Sequence, residues 1–278
     1  MTLWALAVSQ QQQLSITALA PLFCRWLQHL QGDRLDPAAD SLMKTLPSLI
    51  PALNWGIVGP TLLAMNLSGY TPNIFTIPAP GTENLGNMIN TRTRFFDQAL
   101  TQYLDTVEQV VILGAGFDTR LFKFCLGQNL ALFEVDQPGT QRVKKQGLWE
   151  SGIGLSEISF VEVNFNQENW IEKLAAAGFE KKKKTFFLWE GVTYYLTETV
   201  VKQSLQMMAE GSGEGSAIAF DFFSKDFIQG KNQWWWTKPG LRILEGINEP
   251  FHFGINSYNG NQSTLDYLLT GTGFQLHD

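Results

Sequence analysis

Apolar residues in this chain come in short unbroken runs rich in β-branched side chains. Between the runs lie stretches in which apolar positions recur three and four residues apart. The runs suit strands buried on both faces of a parallel sheet, and the recurring positions suit amphipathic helices that connect them. Strands are predicted at 110–113, 130–135, 158–163, 185–189 and 217–223, with a last one starting at 273–276. Leu19, Leu22, Phe23, Trp26, Leu27 and Leu30 predict a helix over 14–30, and Asp36 with Pro37 predicts the N-cap and first turn of another. Phe95, Phe96, Leu100 and Leu104 predict a helix over 86–106; others are expected from Pro138 towards Trp149 and over 170–178, 197–210 and 264–269. Alternation of this kind predicts an α/β fold, a mostly parallel sheet with helices on both faces.

The pattern pivots on residues 109–120, QVVILGAGFDTR. Gly114, Ala115 and Gly116 break the first apolar run, and a strand that ends in Gly-Ala-Gly and feeds a helix makes a ligand-binding turn. The next apolar run, over 130–135, closes with Glu134 and Asp136. An acidic residue at the end of the second strand is where nucleotide-type cofactors have their ribose hydroxyls held. A dinucleotide fingerprint would need a third glycine where Thr119 stands, and Asp118 would oppose a pyrophosphate at a helix N-terminus. A phosphate-free nucleoside such as S-adenosylmethionine (SAM) escapes that repulsion. Gly-Ala-Gly alone is also compatible with a tight turn in an ordinary α/β core.

Composition narrows the choice. A hydrophobic fraction of 44% over 278 residues supports a sizeable core, and a net charge of -6 supplies no positive field for general nucleic-acid binding. Cys24 and Cys125 have no metal-ligand spacing, so no metal is expected; they read as buried free thiols in a reducing cytoplasm. No basic leader precedes an apolar core at the start, and no apolar run reaches the roughly 18 residues of a membrane span, so neither export nor a membrane partner is expected. Residues 46–80, with Trp55, Leu62, Leu63, Met65 and Tyr70, read as a lid or a packed subdomain. The lysine run at 181–184 reads as a solvated turn. Residues 224–254, with Trp234, Trp235, Trp236 and the sequence EPFHFG, read as structured cover over an acceptor pocket.

Several of these segments together resemble the leucine carboxyl methyltransferase family and its bacterial relatives: TALA at 17–20, DPAAD at 36–40, RTRFFD at 92–97, VVILGAGFDTR at 110–120, FEVDQP at 133–138 and LWEGVTYYL at 188–196. The resemblance implies a class I SAM-methyltransferase Rossmann-like fold and O-methylation of a protein C-terminal carboxylate, a small carboxylic acid or a natural-product hydroxyl. It further implies cofactor contacts from Gly114, Ala115, Gly116, Asp136 and Gln137, and from Arg92 to the methionine carboxylate. Asn164, where the family usually has aspartate, and Phe165 are expected at the adenine, and Glu190 at the cationic methionine end. His252 and Tyr194 are the candidate bases for a hydroxyl acceptor. The expected organisation is one methyltransferase domain: a helical cap over 1–85, a SAM-binding core over 86–223, an acceptor-side insertion over 224–254, and a last helix and edge strand over 255–278. A non-catalytic relative that keeps the fold as an interaction module is the alternative.

Overall fold

The computed structural model describes residues 15, 17–46, 59–69, 84–231, 234, 237–256, 265, 266 and 268–276. By its internal contacts the chain divides into two units. One comprises residues 103–115, 128–138 and 157–278; the other comprises 1–102, 116–127 and 139–156.

The first unit is built on five parallel strands: β1 (Gln109–Leu113), β2 (Ala131–Asp136), β3 (Ile158–Glu162), β4 (Thr185–Trp189) and β5 (Ala217–Phe220). Their order is β3-β2-β1-β4-β5, so the connections reverse direction between β1 and β4. In open α/β sheets ligands are taken outside the carboxyl ends of the strands at such a switch point. All five residues of β1 are buried, as an unbroken apolar run at the centre of a sheet requires. Val111, Leu113, Phe133, Val135, Phe187 and Trp189 pack in one cluster with α6 (Trp170–Ala176) and α7 (Glu198–Gly211), which supply Trp170, Leu174, Val201, Leu205 and Met208. Thr197 caps α7, its hydroxyl accepting the Val200 N–H.

The second unit carries α1 (Leu19–Gln31), α2 (Pro37–Thr45), α3 (Gly59–Ser68), most of α4 (Leu85–Tyr103) and α5 (Pro138–Glu150, from Gly139 on). Asp36 caps α2 by accepting the Ala39 N–H at 3.0 Å, as its position before Pro37 predicts. A buried ion cluster ties these elements together. Asp118, 5% exposed, accepts from Arg25 at 3.1 Å and from the Arg120 guanidinium. Asp97 accepts from Arg120 at 2.7 Å and from Arg34 at 2.6 Å, and Arg34 and the Thr119 hydroxyl both donate to Asp36. Burial pushes the Asp118 carboxyl upward, but the charges of Arg120, Arg25 and Lys144 and the Arg120 backbone N–H outweigh it and hold the group well below the usual carboxylate range. Cys24 and Cys125 are both buried, and burial raises their thiols to about 11 and about 12.

Several expectations change. The Gly-Ala-Gly turn feeds a single π-helical turn, Leu121–Cys125, instead of a regular helix. The first amphipathic helix begins at Leu19 and the fifth strand ends at Phe220. The edge strand expected at 273–276 is absent: the Phe274 N–H turns back to the Thr272 hydroxyl at 3.2 Å, and the segment joins no strand among the described residues. The described residues of the insertion include two helices, α8 (Lys225–Ile228) and α9 (Thr237–Gly246); 232, 233, 235 and 236 lie outside the described residues. Of 46–80, only residue 46 and 59–69 fall within the described residues, and 59–68 is helical. In the last helix expected, over 264–269, positions 265, 266, 268 and 269 are helical and 264 and 267 lie outside the described residues. No described helix is long and apolar enough to cross a membrane.

Asp118→Asn leaves Arg25 and Arg120 facing a neutral side chain in a buried site and should lower stability by about 3 kcal/mol at neutral pH. Because the folded-state carboxyl titrates below its unfolded value, its contribution is complete above about pH 4 and fades as pH falls towards the folded value. Chemical denaturation across that range should show the wild type and the variant converging in acid.

Candidate functional site

At the switch point, β1 is followed by Gly114 with φ +62°, a backbone conformation that L side chains rarely adopt. A β-carbon there would stand 2.2 Å from Val192 Cγ2, so the segment that follows β4 lies directly on the turn. The N–H groups of Gly114 and Ala115 both donate to the Val135 carbonyl, at 2.7 and 3.1 Å. Those two donors are tied to β2 and are not offered to a phosphate. The π turn that follows has too few aligned peptides to act as an anion-binding helix N-terminus. Asp118, expected to repel a pyrophosphate, has its charge compensated by Arg25 and Arg120. The case against a dinucleotide therefore rests on the committed N–H groups and on Thr119.

Asp136 ends β2 half-buried, its Oδ1 accepting the Gln137 N–H at 2.6 Å; the Gln137 side chain is exposed. Glu134, two positions earlier, is completely buried inside the strand, so Asp136 is the carboxylate at the sheet's carboxyl edge. Beyond β3, the Asn164 side-chain oxygen accepts the Asn166 N–H at 3.1 Å and its own N–H donates to Glu168 Oε2 at 2.8 Å. The Lys173 ammonium, with that N–H, holds the Glu168 carboxyl below its ordinary value. Asn164 thus organises its own turn, which occupies one lone pair of the oxygen expected to meet adenine. Phe165 is half-buried, packed on the sheet cluster and 6.2 Å from the Trp170 ring.

Glu190 follows β4 half-exposed. Gly191, at φ +76°, donates its N–H to Asp221 Oδ1 at 2.7 Å, and the Thr193 hydroxyl donates to the Asp221 carbonyl. Asp221, just past β5, therefore shapes the turn that lies on Gly114. Sequence reasoning missed it; the only trace was an acidic residue inside what read as an apolar strand over 217–223. Tyr194 is buried, its carbonyl accepting the N–H groups of His252 and Phe253 at 2.7 and 3.3 Å, whereas the His252 side chain is exposed. The unit thus holds Asp136 at the end of β2, and Gly114, Ala115, Gln137, Asn164, Phe165, Glu190, Tyr194 and His252 in segments outside its strands. Arg92 and Gly116 belong to the other unit: Arg92 is half-buried on α4, where its charge lowers the Cys24 thiol less than burial raises it. No cluster of His, Cys, Asp or Glu among the described residues could hold a metal. Carboxylates at the ends of β2 and β4, Asp136 and Glu190, with the Gly114 and Ala115 N–H groups committed to Val135, suit a ligand that carries hydroxyl groups and positive charge.

A family model described as leucine carboxyl methyltransferase matches residues 72–209. The chain is 35% identical over 173 residues to YktD of Bacillus subtilis (strain 168), covering 62% of this chain and 55% of that protein. It is 35% identical over 140 residues to SCO7813 of Streptomyces coelicolor, covering 50% and 49%, and 27% identical over 188 residues to a protein of Mycobacterium avium (strain 104), covering 67% and 58%. All three are described as candidate S-adenosyl-L-methionine-dependent methyltransferases. The chain spans between 49% and 58% of the length of these relatives. The family match includes the turn, Asp136, Asn164 and Glu190, and stops before His252 and the insertion.

Gly114→Ala should cost about 2 to 4 kcal/mol, part from the left-handed backbone and part from the overlap with Val192. Adding Val192→Ala should recover the overlap and leave roughly 1 kcal/mol of backbone strain. Denaturant titration of both variants, with Val192→Ala alone as reference, separates the two parts.

Proposed function

We propose, from the similarity of residues 72–209 to the leucine carboxyl methyltransferase family, that this chain is a SAM-dependent methyltransferase that transfers a methyl group to a carboxylate or hydroxyl oxygen of a small-molecule acceptor. The observation that carries this reading is the turn at Gly114: its first two N–H groups are held by Val135 while a half-exposed Asp136 stands at the end of the neighbouring strand. That combination favours a nucleoside without phosphates. Asp136 accepts from the ribose hydroxyls, Asn164 and Phe165 border the base, and Glu190 faces the positive end.

SAM supplies an electrophilic methyl group on a sulfonium, whose leaving group is a neutral sulfide. The protein then needs no nucleophile of its own, and its residues act by alignment and exclusion of water. Asp136 and Glu190 fix the orientation, and the segments from 190–195, 223–228 and 251–255 cover the acceptor side. A carboxylate acceptor is already ionised at neutral pH. A hydroxyl acceptor transfers its proton to a base, for which the exposed His252 ring is the side chain available, while Tyr194 contributes its ring to the cover.

Calorimetry with SAM and S-adenosylhomocysteine tests the reading. Binding of both is expected in the micromolar range, and Asp136→Ala should weaken it by about 1 to 3 kcal/mol through the loss of charged hydrogen-bond acceptors. Absence of binding at millimolar ligand would contradict the assignment, and transfer of a labelled methyl group to any acceptor would exclude a purely non-catalytic role.

A further inference from the structure

Six aromatic rings converge on the segments that follow β4 and β5. Phe223 stacks on Phe227 with ring centroids 4.3 Å apart and planes 12° from parallel, and on Phe251 at 5.2 Å and 26°. Tyr194 and Tyr195 present their rings steeply to Phe251, at 4.7 Å and 63° and at 5.2 Å and 67°. Trp234 meets Phe227 edge-on at 5.9 Å. Two of the six, Tyr194 and Phe227, are buried and act as the base of the group; Tyr195, Phe223, Trp234 and Phe251 all remain half-exposed.

The backbone holds this arrangement in place. The Ile255 N–H donates to the Phe223 carbonyl and the Lys225 N–H to the Ile255 carbonyl, both at 2.9 Å, while residues 252 and 253 donate to Tyr194. Residues 251–255 are thereby stitched between the turn after β4 and the end of β5. That same turn carries Val192, which lies on Gly114. Partly open, mutually oriented ring surfaces next to the proposed methyl donor are not needed to fill a core, where the rings would be sealed. Four of the six rings come from residues beyond the family match, three of them, Phe227, Trp234 and Phe251, from the segment over 224–254.

We propose that the methyl acceptor is a planar aromatic compound bearing the reactive oxygen, held by stacking against Phe251, Phe223 and Tyr195. The inference rests on the methyltransferase reading above. In the transfer, the acceptor oxygen forms the new bond to the methyl carbon, the carbon–sulfur bond breaks, and the sulfide keeps that electron pair. A phenolic proton leaves to solvent or His252; a carboxylate has none to lose. Flat rings set the plane of the acceptor, and so the direction from which its oxygen approaches.

The test uses the full chain saturated with S-adenosylhomocysteine. It is titrated with 2-naphthol and 2-naphthoate, with their fully saturated decahydro counterparts, and with a short peptide ending in leucine. One of the two aromatic probes should bind roughly fivefold or more tightly than its saturated counterpart, the margin expected of ring stacking, and more tightly than the peptide. Phe251→Leu, which keeps apolar volume but removes the flat ring, should erase that margin and leave S-adenosylhomocysteine affinity unchanged. Equal binding of aromatic and saturated probes, no binding of either aromatic probe, or preference for the peptide would overturn the proposal while the cofactor reading stands. Failure of S-adenosylhomocysteine itself to bind would remove both.

Discussion

No side chain fits at position 114. A β-carbon there would overlap Val192, and the backbone is left-handed, so the central strand must end on glycine for the turn after β4 to close over it. Other features of the site follow from this contact. With Val192 seated, Gly191 reaches Asp221, Thr193 reaches the Asp221 carbonyl, and the Tyr194 carbonyl receives the chain at 252 and 253. The turn after β4, the end of β5 and the returning segment at 251–255 thus form one hydrogen-bonded edge, which meets the end of β1 through Val192. The strand order switches there, and Gly114 allows the turn after β4 to approach the end of β1.

A different constraint governs the other unit. Its cluster of Arg25, Arg34 and Arg120 with Asp36, Asp97 and Asp118 excludes water from several charges at once, an arrangement tolerable only because each carboxylate has more than one donor. Asp36, Asp97 and Asp118 come from three of the segments that resemble the methyltransferase family. In this unit those segments share a structural duty, independent of any ligand they serve. Asp118 and Arg120 also follow the glycine turn closely in the chain.

The strands were legible because a central parallel strand is buried on both faces and so leaves an unbroken apolar run; 185–189 matches β4 at both ends. Asp136 was legible because strand and acid stand next to each other in sequence. The ion cluster was not. Asp36 read as a helix cap, which it is, and nothing local shows that the same carboxylate also meets Arg34 and Thr119. Pairings across such distances in sequence leave no period. The helix expected after Gly116 failed for another reason: the apolar residues of LFKFC fit any short turn, and five residues are too few for a spacing to separate an α-helix from a π turn. Asp221 was hidden inside an apolar run, where its neighbours Phe220 and Phe222 made the strand seem to continue.

The central claim is that a phosphate-free nucleoside cofactor binds over Gly114. A crystal structure grown with S-adenosylhomocysteine tests it most directly. The account predicts the sugar hydroxyls on Asp136 and the sulfur close to the Gly114 turn on the side of the aromatic wall. A ligand bound elsewhere, or the approach to Gly114 kept closed by Val192 and its neighbours with Asp136 untouched, would contradict it.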